Sequence, residues 1–296
     1  MKIRLLTGAQ SKSTVDNGNS ETTGDMLHIL IFPPLRCFHR SPRRPDTSVP
    51  GLPVAVAGGY RGGTRKGLDV TIGSPATVQT SNAPVTVRGG ALLRTVRRRS
   101  DNHVICGPSL LVDEMLRLSG APSIDHLVNT TWGGDISALS PPRPARDTFM
   151  YLQRVPQDPS AGHPTVYRSP RIGLDLSNPD TTESITHPRV AFVGKLYRYF
   201  THPELLASKG RVQTFVGLYT MLRETRGYAE DSKELKNALR EISRLGEQVI
   251  SRYIIDYRSG YQVGKLKSFI GPSKRGVCQS ASEYLKMMGA LRKALQ

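Results

Sequence analysis

Between residues 232 and 257, apolar side chains return every three or four positions: Leu235, Leu239, Ile242, Leu245, Val249 and Tyr253. A strand places alternate residues on one face, so only a helix gathers this series into one stripe. Asp231 with Glu234 three residues on has the spacing of a capping box, which predicts one long helix over 232–257. A second stripe, VQTFVGLYTMLRET, follows Gly210 and predicts an amphipathic helix. A third begins near Ser280 with Glu283 and runs through Tyr284, Leu285, Met288 and Leu291. The last third of the chain is therefore expected to be helical. Its stripes are expected to pack on one another or on a partner protein.

The preceding part has a different texture. Residues 1–35 are expected to form an atypical, polar and disordered segment. RCFHRSPRRPDTSVPGLP, from Arg36, combines cations with prolines that suit neither helices nor central strands. Strand signals follow at GLDVTIG (67–73), APVTV (83–87) and GALLRTVRR (90–98), bounded by glycines that suit antiparallel hairpins. CGPSLLVDEMLRLSG predicts a helix with Pro108 in its first turn and Leu111, Met115 and Leu118 on one face; Gly120 ends it. SIDHLVN predicts a short helix capped by Ser123. Residues 133–164 read as loop, and SPRIGLDLS (169–177) and KLYRYFTHP (195–203) as strands. This divides the chain into 1–35, an α+β domain over 36–215 and a helical extension over 216–296.

Charge bears on function. Forty-one Lys and Arg against 24 Asp and Glu leave a formal net charge of +17. Such an excess favours a polyanionic partner, nucleic acid before anionic membrane. Twelve of the cations lie between residues 36 and 99, against Asp46 and Asp69 alone. No apolar run is long enough to span a bilayer, so no membrane partner is expected. Cys37, Cys106 and Cys278 are far apart and odd in number, without metal-ligand spacing. They suit a reducing compartment, the nucleus first.

The stretch GGYRGGTRKGLDVTIG, 58–73, raises the question of a phosphate loop. A P-loop needs Lys after the closing glycine, then Ser or Thr, then a helix. Here Lys66 precedes Gly67 and a strand pattern follows. The stretch reads as a glycine-permitted turn whose cations Arg61, Arg65 and Lys66 face backbone phosphate, or simply as a basic turn into a strand. Arg97, Arg98, Lys209 and Arg211 join them as candidate phosphate contacts. In the later part of the chain, GKLKSFIGPSKRG (264–276) interleaves cations, glycines and an aromatic in the same manner. Asp69 is an acid in a basic, apolar strand: either an ion-pair partner of Arg65 or Arg94, or a functional carboxylate.

Four segments in order, GGALLRTV (89–96), CGPSLLVDEML (106–116), SPRIGLD (169–175) and LYRYFTHPEL (196–205), resemble the alkyladenine (3-methyladenine) DNA glycosylases over about half the chain. The resemblance implies a curved antiparallel sheet of open-barrel character, like the C-terminal domain of formyltransferases. It also implies double-stranded DNA as partner and hydrolysis of the N-glycosidic bond of a flipped, alkylated purine without metal or organic cofactor. Arg94 stands at the arginine of the L-L-R strand, which in the family lines the base pocket. The family's upstream glutamate motif is missing here, which leaves Asp69 as the local catalytic candidate. The non-catalytic alternative is a basic module that holds nucleic acid, or a structural protein that docks through its helical extension.

Overall fold

The computed structural model describes residues 2–7, 27–28, 66–80, 83–98, 100–133, 148–153, 164–178, 180–206, 210–271, 277 and 280–296. The architecture is mixed helix and sheet; every paired strand is antiparallel, and no closed barrel forms among the described residues. The chain divides into two units, Met1–Pro159 and Ser160–Gln296.

In the first unit, β1 (Lys2–Thr7) pairs with β7 (Thr148–Gln153). The hairpin of β3 (Leu68–Thr80) and β4 (Ala83–Leu93) changes register between Gly73 and Thr77. A small sheet orders β2 (Leu27–His28), β5 (Thr95–Arg98) and β6 (Val104–Cys106). The single strand expected over 90–98 is thus divided at Arg94. Leu93 pairs with Leu68 in one sheet and Thr95 with Cys106 in another, so the chain changes sheets at this residue. The Arg94 carbonyl accepts the Gly107 N–H at 2.7 Å, which ties the switch to the start of α1 (Pro108–Leu118).

Helix α1 starts and stops as its sequence predicts, with Gly120 left-handed just beyond it (φ 60°). Leu111 and Met115 bury against Leu93, Val96 and Ile105 of the strands, and Leu127, Val128 and Trp132 close this core. The short helix after Ser123 is a π-helical turn, His126–Thr131, and the Ser123 hydroxyl accepts the His126 N–H.

In the second unit, the strands are shorter than expected. β8 is Tyr167–Ser169 and β9 is Arg198–Phe200. Pro170 offers no N–H for a ladder, Gly173 is left-handed (φ 82°), and the Asp175 carboxylate accepts both the N–H and the hydroxyl of Ser177. These local bonds turn 170–178 into a loop. After β9, His202 is left-handed and Pro203 opens a 3-10 turn. A six-residue helix, α2 (Pro188–Val193), was not expected; the His187 ring nitrogen accepts its Arg189 N–H.

Helix α3 (Arg211–Arg226) is central rather than one-sided, with Gln213 through Tyr219 all buried. The helix expected over 232–257 is two: α4 (Lys233–Ser243) and α5 (Glu247–Val263), joined through left-handed Arg244 (φ 58°). The cap is Ser232, whose hydroxyl accepts the Leu235 N–H, not Asp231. Helix α6 (Ala281–Ala294) begins at the expected Ser280 cap.

Leu222, Leu235, Leu239, Ile250, Ile254, Tyr284 and Leu285 form the heart of this core. Leu176, Val190 and Val193 bury in it too, so the unit begins well before the boundary at 215 that composition suggests. Among the described residues no helix is long and apolar enough to cross a membrane.

Candidate functional site

Cations are plentiful, so what separates one from another is whether a carboxylate already holds it. In the first unit, Lys66 Nζ lies 2.6 Å from Asp113 Oδ1 of α1. Arg98 reaches Asp101 through two donors and Glu114 through a third. Arg117 closes on Glu114 at 2.8 and 2.9 Å. These guanidinium bonds, Arg117 first, hold the Glu114 carboxyl below its ordinary range against the opposing effect of burial. The Asp101 carboxyl is lowered chiefly by Arg98, and the Arg98 guanidinium is raised in return. Two of the predicted phosphate contacts, Lys66 and Arg98, are therefore ion-paired within their own unit. Arg97 of β5 is exposed.

Arg94 is half-buried at the change of sheet. Asp69 lies opposite Leu92 in the β3–β4 ladder. The Asp69 side chain, with Arg61, Arg65 and Lys209 altogether, is outside the described residues, and so is Cys37 with Cys278. Cys106 is a half-buried free thiol that accepts from the Thr95 hydroxyl. Arg211 is exposed at the first turn of α3. From GKLKSFIGPSKRG, Lys265 and Lys267 are exposed and residues 272–276 are outside the described residues.

The second unit carries an arrangement the sequence reading did not single out. Strands β8 and β9 form a two-stranded sheet, with Tyr167 opposite Phe200, Arg168 opposite Tyr199 and Ser169 opposite Arg198. Alternation sends these residues to opposite faces. On the inner face Tyr167 and Phe200 stack at 5.9 Å, and Arg198 lies 4.5 Å from the Phe200 ring. Arg198 also donates to the Ser169 and Thr214 hydroxyls at 3.1 and 2.8 Å, which fastens the sheet to α3. Gly217 of α3 lets the two backbones meet, since a Cβ there would overlap the Arg168 carbonyl.

The outer face holds Arg168 and Tyr199. The guanidinium carbon lies 5.2 Å from the ring centre, both residues are exposed, and Tyr199 keeps 37% of its surface open. Tyr197, just before β9, stands against Phe192 at 6.1 Å, and Phe192 is 43% exposed. Among the described residues, none of Arg168, Arg171 and Lys195 is in an ion pair, and all three are exposed. The signal for this site was the alternation of aromatics and cations in KLYRYF, legible only once Arg168 is known to lie across from Tyr199.

The same unit has an open cleft of about 480 Å³ between α3, the 227–230 turn, α5 and α6. Tyr219 forms one wall, and its hydroxyl donates to Glu230 at 3.2 Å. Arg223–Glu230 and Arg292–Glu224 pairs flank it at 3.3 and 3.0 Å. Burial pushes the Tyr219 phenol well up and the Tyr257 phenol up to about 12. The cations of this cleft are paired, unlike Arg168 beside Tyr199, which is in no ion pair among the described residues. Among the described residues, no group of three or more His, Cys, Asp and Glu is placed to hold a metal ion.

Comparison of the chain with protein-family models, curated proteins and solved structures finds no match.

Proposed function

We propose that this chain is a nucleic-acid-binding protein that holds its partner through phosphate contacts and performs no chemistry on it. The observation that carries this reading is the exposed outer face of β8–β9, where Arg168 lies against Tyr199 and is in no ion pair among the described residues. A net charge of +17 supplies the long-range attraction. Phosphate takes a guanidinium readily because its planar donors match two oxygens at once.

The hydrolytic form of the reading follows from the glycosylase resemblance, with its open-barrel sheet and duplex DNA substrate. It needs a carboxylate free to activate water beside a flipped nucleotide. Asp101, Asp113 and Glu114 are engaged by Arg98, Lys66 and Arg117, so none of these three is free for that role.

Titration of the full-length protein with a labelled oligonucleotide tests the reading. Affinity is expected to fall steeply, log against log, between about 50 and 200 mM salt, because each phosphate contact releases counterions. Salt-insensitive binding, or none, overturns it. Release of alkylated purine from duplex DNA, lost in Asp69→Asn, would restore the hydrolytic form. A complex with protein that survives nuclease would favour docking through the helices.

A further inference from the structure

We infer that the outer face of β8–β9 is a stacking platform for single-stranded nucleic acid, with Tyr199 and Phe192 taking unpaired bases and Arg168, Arg171 and Lys195 taking the phosphates. This rests on the nucleic-acid reading and sharpens it to one strand rather than two.

The argument begins with the two faces of the sheet. Helix α3 covers the inner face closely enough to require Gly217. Burial there accounts for Tyr167, Phe200 and Arg198. No such packing accounts for Tyr199, which is 37% exposed, or for Phe192, which is 43% exposed. Tyr199 leaves ring area facing water, and Phe192 does the same beside Tyr197, two residues before Tyr199, so both offer apolar area to a ligand.

The surrounding charge says what binds. Arg168, Arg171 and Lys195 are exposed and have no ion-pair partner among the described residues, so an acidic strand meets them without first displacing a carboxylate. In the first unit Lys66 and Arg98 are already engaged, while Arg97 is exposed. Exposed rings and exposed cations are the two components of single-strand recognition: every base has a π-face, and the backbone follows the charge. Sheet-borne aromatics stack successive bases in the same manner. A duplex hides its base faces within its own stack, so it meets the cations and leaves the rings unused.

The contact of Arg168 with Tyr199 fits this role as well. A guanidinium held beside a ring by cation–π attraction is pre-positioned, and its plane is itself a surface on which a base stacks.

The experiment is fluorescence anisotropy of the full-length protein with a mixed-sequence 12-nucleotide strand, alone and annealed to its complement. The wild type is expected to bind the single strand more tightly. Tyr199→Leu is expected to weaken single-strand binding about ten-fold, the effect of one lost base stack, while the duplex changes less than about two-fold by the same argument. Tyr199→Phe keeps the ring and should keep the affinity, and circular dichroism melts of both variants report folding. Equal affinity for strand and duplex, or equal loss from both in a folded Tyr199→Leu, overturns the stacking platform while salt-dependent binding leaves the nucleic-acid reading intact. Absence of binding to either overturns both.

Discussion

Gly260 of α5 and Gly289 of α6 are where two helices meet backbone to backbone. A Cβ on Gly260 would overlap the Lys286 carbonyl, and one on Gly289 would overlap that of Tyr257. Neither neighbour is a flexible side chain that swings aside. Gly260→Ala gains helix propensity, yet the helices must part to admit the methyl, and the forced separation wins. A loss of about 1–3 kcal/mol is expected in urea unfolding; a stabilised variant would mean the crossing is looser than described. Glu114 sets a second test. Its carboxyl is depressed below the ordinary 4.5 by Arg117 and Arg98, so the folded state releases that proton more readily than the unfolded chain does. The stabilisation is complete above about pH 5 and fades as pH falls through the depressed value. Glu114→Gln should therefore lower stability by about 1 kcal/mol at neutral pH, the upper end for a partly exposed pair, and flatten the decline toward acid. An unchanged acid slope would assign the decline to other carboxylates. At this scale the sequence showed charge and not partnership. Lys66 meets Asp113 across 47 positions, and no local pattern announces that bond.

The helical elements are where local chemistry was most legible. Helix α1 has Pro108 at its start and Gly120 just past its stop, and α6 has Ser280 at its cap, all local devices. The division of α4 from α5 was hidden because the apolar stripe runs through it. Leu245 and Val249 continue the spacing of Leu235 and Leu239, although left-handed Arg244 turns the chain between them. At the division the Ser243 hydroxyl donates to the Leu239 carbonyl and accepts from the Leu245 N–H. Ser232→Ala removes the acceptor for the Leu235 N–H and is expected to cost about 1 kcal/mol, read as a lower unfolding midpoint. Asp231→Ala should cost less, because Ser232 is the residue that caps the helix. Strand lengths were overestimated at 169–177 for a related reason. Apolar alternation suggested a ladder, but Pro170 and the Asp175–Ser177 bonds gave the backbone a closer partner.

For the whole molecule, the boundary near residue 160 has a consequence of its own. Composition changes near 215, because that is where loops give way to long helices. Packing changes earlier, because Leu176, Val190 and Val193 of the loop-rich segment bury completely against α3, α4, α5 and α6. Burial of three such side chains contributes several kcal/mol, about 1.5–3 for each. The segment 160–215 thus belongs energetically to the helices and also supplies β8 and β9, the strands that carry Arg168 and Tyr199. Residues 160–296 expressed alone are expected to unfold in one cooperative transition with a helical spectrum, since among the described residues their core draws on none before Tyr167. Residues 216–296 alone should expose the α3 surface that β8 covers, and should melt broadly or aggregate. A cooperative 216–296 fragment as stable as 160–296 would show that the loop segment only decorates the helices. Four additional buried core residues, Leu176, Val190, Val193 and Phe215, predict a clear difference in midpoint between the two fragments, measurable by circular dichroism.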